Sequence, residues 1–176
     1  MEIWSAGHSN RSAAELVALL ADAGIAGVAD VRRFPVSRRF PQHARARLEA
    51  SLGAAGIGYD FLGDALGGRR EPGVPPERSS NAALSDSALR AFADALETPE
   101  LAAGLARLEA LARARPTAFL CAERDWRDCH RRILSDALAA RGWRIVHLVQ
   151  PGRAEPHALD PRARLEAGRV TYPTLL

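Results

Sequence analysis

The sequence predicts an α/β fold: a single domain with an open, mostly parallel sheet of about five strands and helices on both faces, a Rossmann-like arrangement. Three observations predict it. Short apolar, strand-like runs alternate with segments of helical periodicity over residues 1–150. Capping and stop residues bracket the helical segments. Each polar cluster that stands out follows a strand-like run, and in an open parallel sheet those carboxyl ends share the edge where ligands bind.

Residues 2–7 read as the first strand. Ser12-Ala13-Ala14-Glu15 is a capping-box pattern, and Leu16, Val17, Leu19 and Leu20 follow at helical spacing to a stop at Gly24. Residues 27–32 form a second strand, followed by an irregular stretch through Pro35 and Pro41. A helix is expected over about residues 44–55, stopped by Gly56, and a third strand over 58–62. Residues 63–80, with Gly67, Gly68, Pro72, Gly73, Pro75 and Pro76, read as a long loop, a feature that is usually functional or mobile. Two helices come next: 86–96 with Leu89, Phe92, Ala93 and Leu96 on one face, then one capped by Thr98-Pro99 and ended by Pro116. A strand over 117–120, a helix over about 128–140 and a strand over 143–149 complete the pattern. Residues 151–176 are read as a polar tail, with Pro151, Pro156 and Pro161, that packs on the 1–150 domain.

Bulk properties narrow the class. A length of 176 residues suits one domain with a substantial core, and 47% hydrophobic with 26% charged residues is a globular balance. No apolar run approaches the ~20 residues that span a bilayer. The amino terminus enters a strand without a basic, apolar leader. Two cysteines are too few for a disulfide framework. The expectation is a cytoplasmic protein without a membrane partner.

All 24 basic residues are Arg, and the net charge is +3. Because Ala, Gly and Leu are also abundant, base composition explains the choice of Arg; the distribution is more telling. Arg32, Arg33, Arg38, Arg39, Arg45 and Arg47 cluster between Asp30 and Arg47, Arg69-Arg70 form a pair, and Arg124, Arg127, Arg131 and Arg132 form a third group. Guanidinium forks match phosphate and carboxylate geometry. Converging, these groups would bind an anion: a nucleotide, a nucleic acid or a phosphorylated metabolite. Dispersed, they are a solvated surface.

The densest chemistry is Thr117 to Arg132, TAFLCAERDWRDCHRR, where the two cysteines stand eight residues apart across an expected strand-to-helix turn. With Gly7-His8-Ser9, Asp30-Val31-Arg32 followed by Pro35 and Ser37, and Gly67-Gly68-Arg69, the words Cys121-Ala122-Glu123 and Cys129-His130-Arg131 form an ordered set. In this order and spacing, over about residues 3–150, the set resembles the domain-of-unknown-function-488 family. The resemblance implies a compact bacterial or archaeal α/β domain whose motifs cluster, and it implies no activity. Many relatives read CAE-x-DP where this chain has Arg124-Asp125-Trp126-Arg127.

Each candidate has a chemical and a plain reading. Cys121 and Arg127 share the C-x5-R frame of cysteine phosphatases, but this loop lacks glycine and carries Glu123 and Asp125, which would repel a phosphate. Cys121 reads equally as a buried strand residue. With Asp125 or Asp128 as cap, Cys129, His130 and Arg131 would occupy a helix's first turn. There the dipole and Arg would favour a thiolate, His130 could act as a base and Arg131 could hold an anion. The plain alternative packs Cys129 inward and pairs His130 with Glu123 or Asp30. Glu123 and Asp30 could divide acid and base roles, or pair with Arg131 and Arg32. Cys121, Cys129, His130 and His8 could supply zinc ligands, but a separation of eight is not the tight spacing of structural sites, so no metal is assigned; cofactors stay open.

The leading expectation is an enzyme acting on a nucleotide-like or nucleic-acid substrate. Glu123, Cys129, His130 and Asp30 are its catalytic candidates; His8, Ser9, Arg32, Ser37, Arg69 and Arg131 are its anion-binding ones. The alternatives are a non-catalytic nucleic-acid-binding module using the Arg32 to Arg47 stretch, where charge reversal of Arg38, Arg39, Arg45 and Arg47 would abolish binding, and a Cys/His metal or redox site.

Overall fold

The structure is a computed structural model and describes residues 1–36 and 38–174. Five parallel strands, Glu2–Gly7 (β1), Gly27–Asp30 (β2), Gly58–Phe61 (β3), Thr117–Cys121 (β4) and Arg144–Gln150 (β5), are joined by an antiparallel sixth, Arg153–Pro156 (β6). Their order across the sheet is β3-β2-β4-β1-β5-β6. The sixth strand arises in the segment read as a tail, which also forms a hairpin of Arg164–Glu166 (β7) and Arg169–Thr171 (β8). Its short, exposed strands lack the apolar alternation that signals a strand in sequence. Tyr172, just beyond, is fully buried.

Among the described residues, six helices cover the sheet: Ala13–Asp22 (α1), Arg45–Ala54 (α2), Gly63–Leu66 (α3), Ser87–Ala95 (α4), Pro99–Ala114 (α5) and Arg131–Ala140 (α6). The capping box at Ser12 and Glu15 forms in both directions, and Asp86 and Thr98 cap α4 and α5. The segment 63–80 is less irregular than its glycines and prolines suggest, holding α3 and a 3₁₀ turn at Pro76–Arg78.

Period-two alternation divides the strands between two cores. Val28, Ala118 and Leu120 face Leu16, Leu19 and Leu20 of α1 and Leu48 and Leu52 of α2. Ile3, Ala29, Phe119 and Ile145 face Phe92, Leu101, Leu105, Leu108, Ile133 and Leu138 of α4, α5 and α6. Each fully buried Leu or Phe stabilises the fold by about 1.5–3 kcal/mol.

The order fixes where a site can form. The chain leaves β2 toward β3 on one side and leaves β4 toward β5 on the other, although β2 and β4 are neighbours. Their exit loops therefore diverge and open a crevice at the carboxyl edge, the topological switch point of the sheet.

Candidate active site

The β1 and β4 exits remain paired for two residues before they part: His8 N–H donates to Cys121 O and Ser9 N–H to Ala122 O, at 3.0 and 2.8 Å. The β4 exit then crosses directly over β1. A Cβ on Gly7 would lie 1.8 Å from the Glu123 carbonyl oxygen, so only glycine admits the crossing. Beyond it opens a cleft of about 480 Å3, lined by Arg32, Arg33, Phe34, Arg69, Cys121, Glu123, Cys129 and His130 among others. A smaller cleft of about 310 Å3 adjoins it and adds His8 and Ser9. Arg32, Phe34, Val36, Ala122 and Glu123 line both. The larger volume lies within the usual range of small-molecule sites.

Cys121, Cys129 and His130 form the cleft floor, their ligand atoms all within 4.8 Å of one another. His130 is held firmly. Its Nε2–H donates to Val31 O at 3.1 Å, which leaves the Nδ1 lone pair facing Cys121 Sγ at 3.8 Å. Phe92 meets the ring edge-on, and a Cβ on Gly68 would strike it at 2.4 Å. The Cys121 thiol donates to Glu123 Oε2 at 2.9 Å. Arg131 Nε–H donates to Cys129 Sγ at 3.2 Å. The two sulfurs differ sharply: the neighbouring Cys129 sulfur, burial and the Glu123 carboxylate push the Cys121 thiol up. The neighbouring Cys121 thiol first, and then His130 and Arg131, bring Cys129 down. Cys129 is the more acidic member of the pair.

The cause differs from the one expected. Cys129 has extended backbone, φ −147° and ψ 176°, between a 3₁₀ turn at Trp126–Asp128 and α6, so it lies outside the first helical turn. Asp125 caps the 3₁₀ turn, accepting from Arg127 N–H, and His130 is the α6 N-cap without a side-chain bond. Side chains, not the helix dipole, set the acidity of Cys129. Arg131, expected to hold an anion, is 1% exposed and lines neither cleft. Its Nη2–H donates to the Glu123 carbonyl at 2.5 Å and anchors the crossing loop.

Asp30 is likewise fully buried and lines neither cleft. It accepts Arg32 Nε–H at 2.8 Å and Nη2–H at 2.6 Å, and Tyr59 O–H at 2.7 Å. Arg32 also donates through Nη1 to His8 Nε2 at 3.1 Å and His43 O at 2.8 Å. Of its five donors, one Nη2–H remains for a ligand. His8 packs against His43 with ring centroids 4.1 Å apart and the planes tilted by 32°, donates through Nδ1 to Ser9 O at 3.0 Å, and is held neutral by burial, which lowers it to about 4. Asp30 therefore positions Arg32 and the His8 edge.

The cleft mouth is cationic and partly apolar. Arg69 is exposed and makes no hydrogen bond or ion pair among the described residues. Arg33 is exposed and held by Asp64 O at 2.5 Å. Phe34 and Val36 are 61% and 78% exposed, an apolar pair with no protein cover. Ser37 lies outside the described residues. Arg38, Arg39, Arg45 and Arg47 are exposed and line neither cleft.

A second polar cluster, behind the floor, escaped sequence reasoning. Asp136 Oδ1 accepts His157 Nε2–H at 2.7 Å, His157 Nδ1 accepts His147 Nε2–H at 3.0 Å, and His147 Nδ1 accepts Ser5 O–H at 2.6 Å. Ser5 in turn lies 3.5 Å from Arg131 Nη1. Tyr172 O–H donates to the other Asp136 oxygen at 2.7 Å. Trp126 stacks on His147 at 4.1 Å and 8°, which gives a structural role to a position where the chain departs from the CAE-x-DP pattern. The strand position of His147 and its apolar neighbours were the sole available signal.

A profile of the family described as Domain of unknown function DUF488 matches residues 12–138. No curated protein and no solved structure gives a significant match. No helix among the described residues is long and apolar enough to cross a membrane.

Proposed function

The chain belongs to the DUF488 family, and we propose that it is an enzyme acting on a nucleotide-like, anionic substrate held in the cleft at the carboxyl edge of the sheet. The cleft composition carries this reading. Two exposed arginines, Arg33 and Arg69, and an exposed aromatic ring, Phe34, rim a volume whose floor holds Glu123, Cys129 and His130. A phosphate and a base have complementary partners there: guanidinium forks for the first and a stacking face for the second. Glu123 is the exposed carboxylate at the junction of both clefts and serves as the acid–base group. Cys129 and His130 complete the reacting floor, and Asp30 acts through Arg32.

The test is a panel of mononucleotides and short oligonucleotides assayed for binding and turnover. Arg69→Glu should weaken nucleotide binding at least tenfold, and Phe34→Ala by about 5- to 150-fold, the worth of one stacked base. Glu123→Gln should abolish turnover and leave binding largely intact. Binding that survives both Arg69→Glu and Phe34→Ala would overturn the reading. Loss only on charge reversal of Arg38, Arg39, Arg45 and Arg47 would show a nucleic-acid-binding module instead.

A further inference from the structure

We propose that Cys121, Cys129 and His130 form a three-ligand site for a thiophilic divalent cation of the zinc class, with its fourth position open to the cleft. The inference rests on the same cleft and supplies its missing reactive centre.

The first argument is distance. Tetrahedral zinc with Zn–S of about 2.3 Å and Zn–N of about 2.0 Å puts sulfur and nitrogen ligands about 3.6 Å apart and two sulfurs about 3.8 Å apart. Cys121 Sγ and His130 Nδ1 are 3.8 Å apart, and Cys129 Sγ is within 4.8 Å of both. Side-chain shifts of about 1 Å or less would close the site. The second argument, independent of distance, is the histidine tautomer. A metal-bound imidazole commonly donates its other N–H to a backbone carbonyl or carboxylate, which fixes the ring and aims the free lone pair. His130 does so through Val31 O, and its Nδ1 lone pair points at the sulfurs. Phe92 and the bare Gly68 backbone leave the ring little room to turn away.

The third argument is charge. Two thiolates and the Glu123 carboxylate sum to three negative charges; Arg131 and a divalent cation sum to three positive. Arg131 Nε–H already contacts Cys129 Sγ, as outer partners of metal thiolates do. Glu123 is outside the ligand group and touches it at Cys121 alone. Three protein ligands, an open fourth position on a cleft and an adjacent carboxylate are the composition of a catalytic rather than a structural site. In that position the cation would bind water, and Glu123 would accept the proton released when that water becomes hydroxide.

Spacing rules miss such a site because the third ligand is not a distant pair member. His130 is adjacent in sequence to Cys129, and the extended Cys129 backbone lets both side chains reach back to the end of β4.

The test uses reduced, full-length protein treated with a chelator and titrated anaerobically with Co2+. One ion per chain is expected, with the visible bands of tetrahedral cobalt, a thiolate-to-metal charge-transfer band, and displacement by Zn2+. Cys129→Ser and His130→Ala, confirmed as folded by circular dichroism, should each weaken binding at least tenfold. Absence of the charge-transfer band in the wild-type protein overturns the proposal without reference to any variant. So does an unchanged band in Cys129→Ser. The cleft reading fails separately. Cobalt binding without any nucleotide binding removes that reading and leaves the metal site. Nucleotide binding and turnover by a protein that takes up no cobalt remove the metal site and leave the cleft reading.

Discussion

Two histidine-centred clusters meet at Arg131, and only one of them faces solvent. In front, Cys121, Cys129 and His130 floor the cleft. Behind, Ser5, His147, His157 and Asp136 form a hydrogen-bonded chain closed over by Trp126 and Tyr172. Arg131 donates to Cys129 Sγ on one side and approaches Ser5 Oγ on the other. By residue type alone, the rear cluster is the more suggestive, since a serine, two histidines and an aspartate in line are the parts of a hydrolase. Burial decides otherwise. All four rear residues are closed off from both clefts, so their order serves to hold Arg131 and the C-terminal segment, whereas the front cluster meets a cavity large enough for a ligand. Residue type offers a chemistry, and access determines whether a substrate can meet it.

Arg131 is the joint between the two clusters. Arg131→Leu removes a donor from the Cys129 sulfur and from the Glu123 carbonyl, and takes away the guanidinium that approaches Ser5 at the near end of the rear chain. The expected cost is about 2–6 kcal/mol in denaturant unfolding, about 1–3 kcal/mol for each of the two buried acceptors left without its donor. A loss below about 1 kcal/mol, the scale of an ordinary hydrogen bond, would show that the two clusters are not joined through this residue.

Acid is expected to act on the rear chain and on the His8 edge together. Burial, then His157, Arg131 and Arg127, lower His147 to about 2; burial first, with Arg32 and His43 also opposing charge, lowers His8 to about 4. His43 shifts the same way. These folded values lie below the unfolded value of 6.5, so the unfolded chain binds more protons as pH falls. Their contribution to stability is therefore complete above pH 6.5 and declines through the acid range. Between pH 6.5 and pH 5, His147 and His8 together should remove about 3 kcal/mol, by linkage. Unfolding free energies measured from pH 7 to pH 5 check this, and a flat profile would mean that neither ring is held neutral.

The smallest effect sharpens the separation of front from rear. Tyr172→Phe deletes one donor to Asp136 in the sealed chain. It should cost about 1–2 kcal/mol in thermal or denaturant unfolding, with cobalt and nucleotide binding at the cleft unchanged. A change in cleft binding would mean that the tail reaches the site through Arg131.

Much of the fold is legible in the sequence because its signals are local. The Ser12 to Glu15 capping box, Thr98-Pro99 and the apolar spacing of α1, α4 and α5 need only near neighbours, and each element forms where those signals place it. The parallel sheet follows from the alternation of strands and helices. The sixth strand does not, because β6 is short, half-exposed and paired along an edge, with no apolar face to mark it. The start of α6 shifts to Arg131 for a similar reason: the 3₁₀ turn capped by Asp125 competes with the helix, and local capping signals cannot rank the two.

The candidate site divides along the same line. Sequence alone determined that the words around His8, Asp30, Gly68, Cys121 and Cys129 end on one edge, because strand ends in a parallel sheet must. Tertiary structure alone decided which of those residues face a cavity and which are buried behind it. Asp30 and Arg131 have the residue types of a site, yet they are closed in by Tyr59, Arg32, Ser5 and the Glu123 carbonyl. Glu123, Cys129, His130 and Arg69 remain at the cleft. The reason is that local propensity and periodicity are set by neighbours along the chain, while exposure and hydrogen-bond satisfaction are set by elements up to a hundred or more residues away, as in the Val31 carbonyl that orients His130.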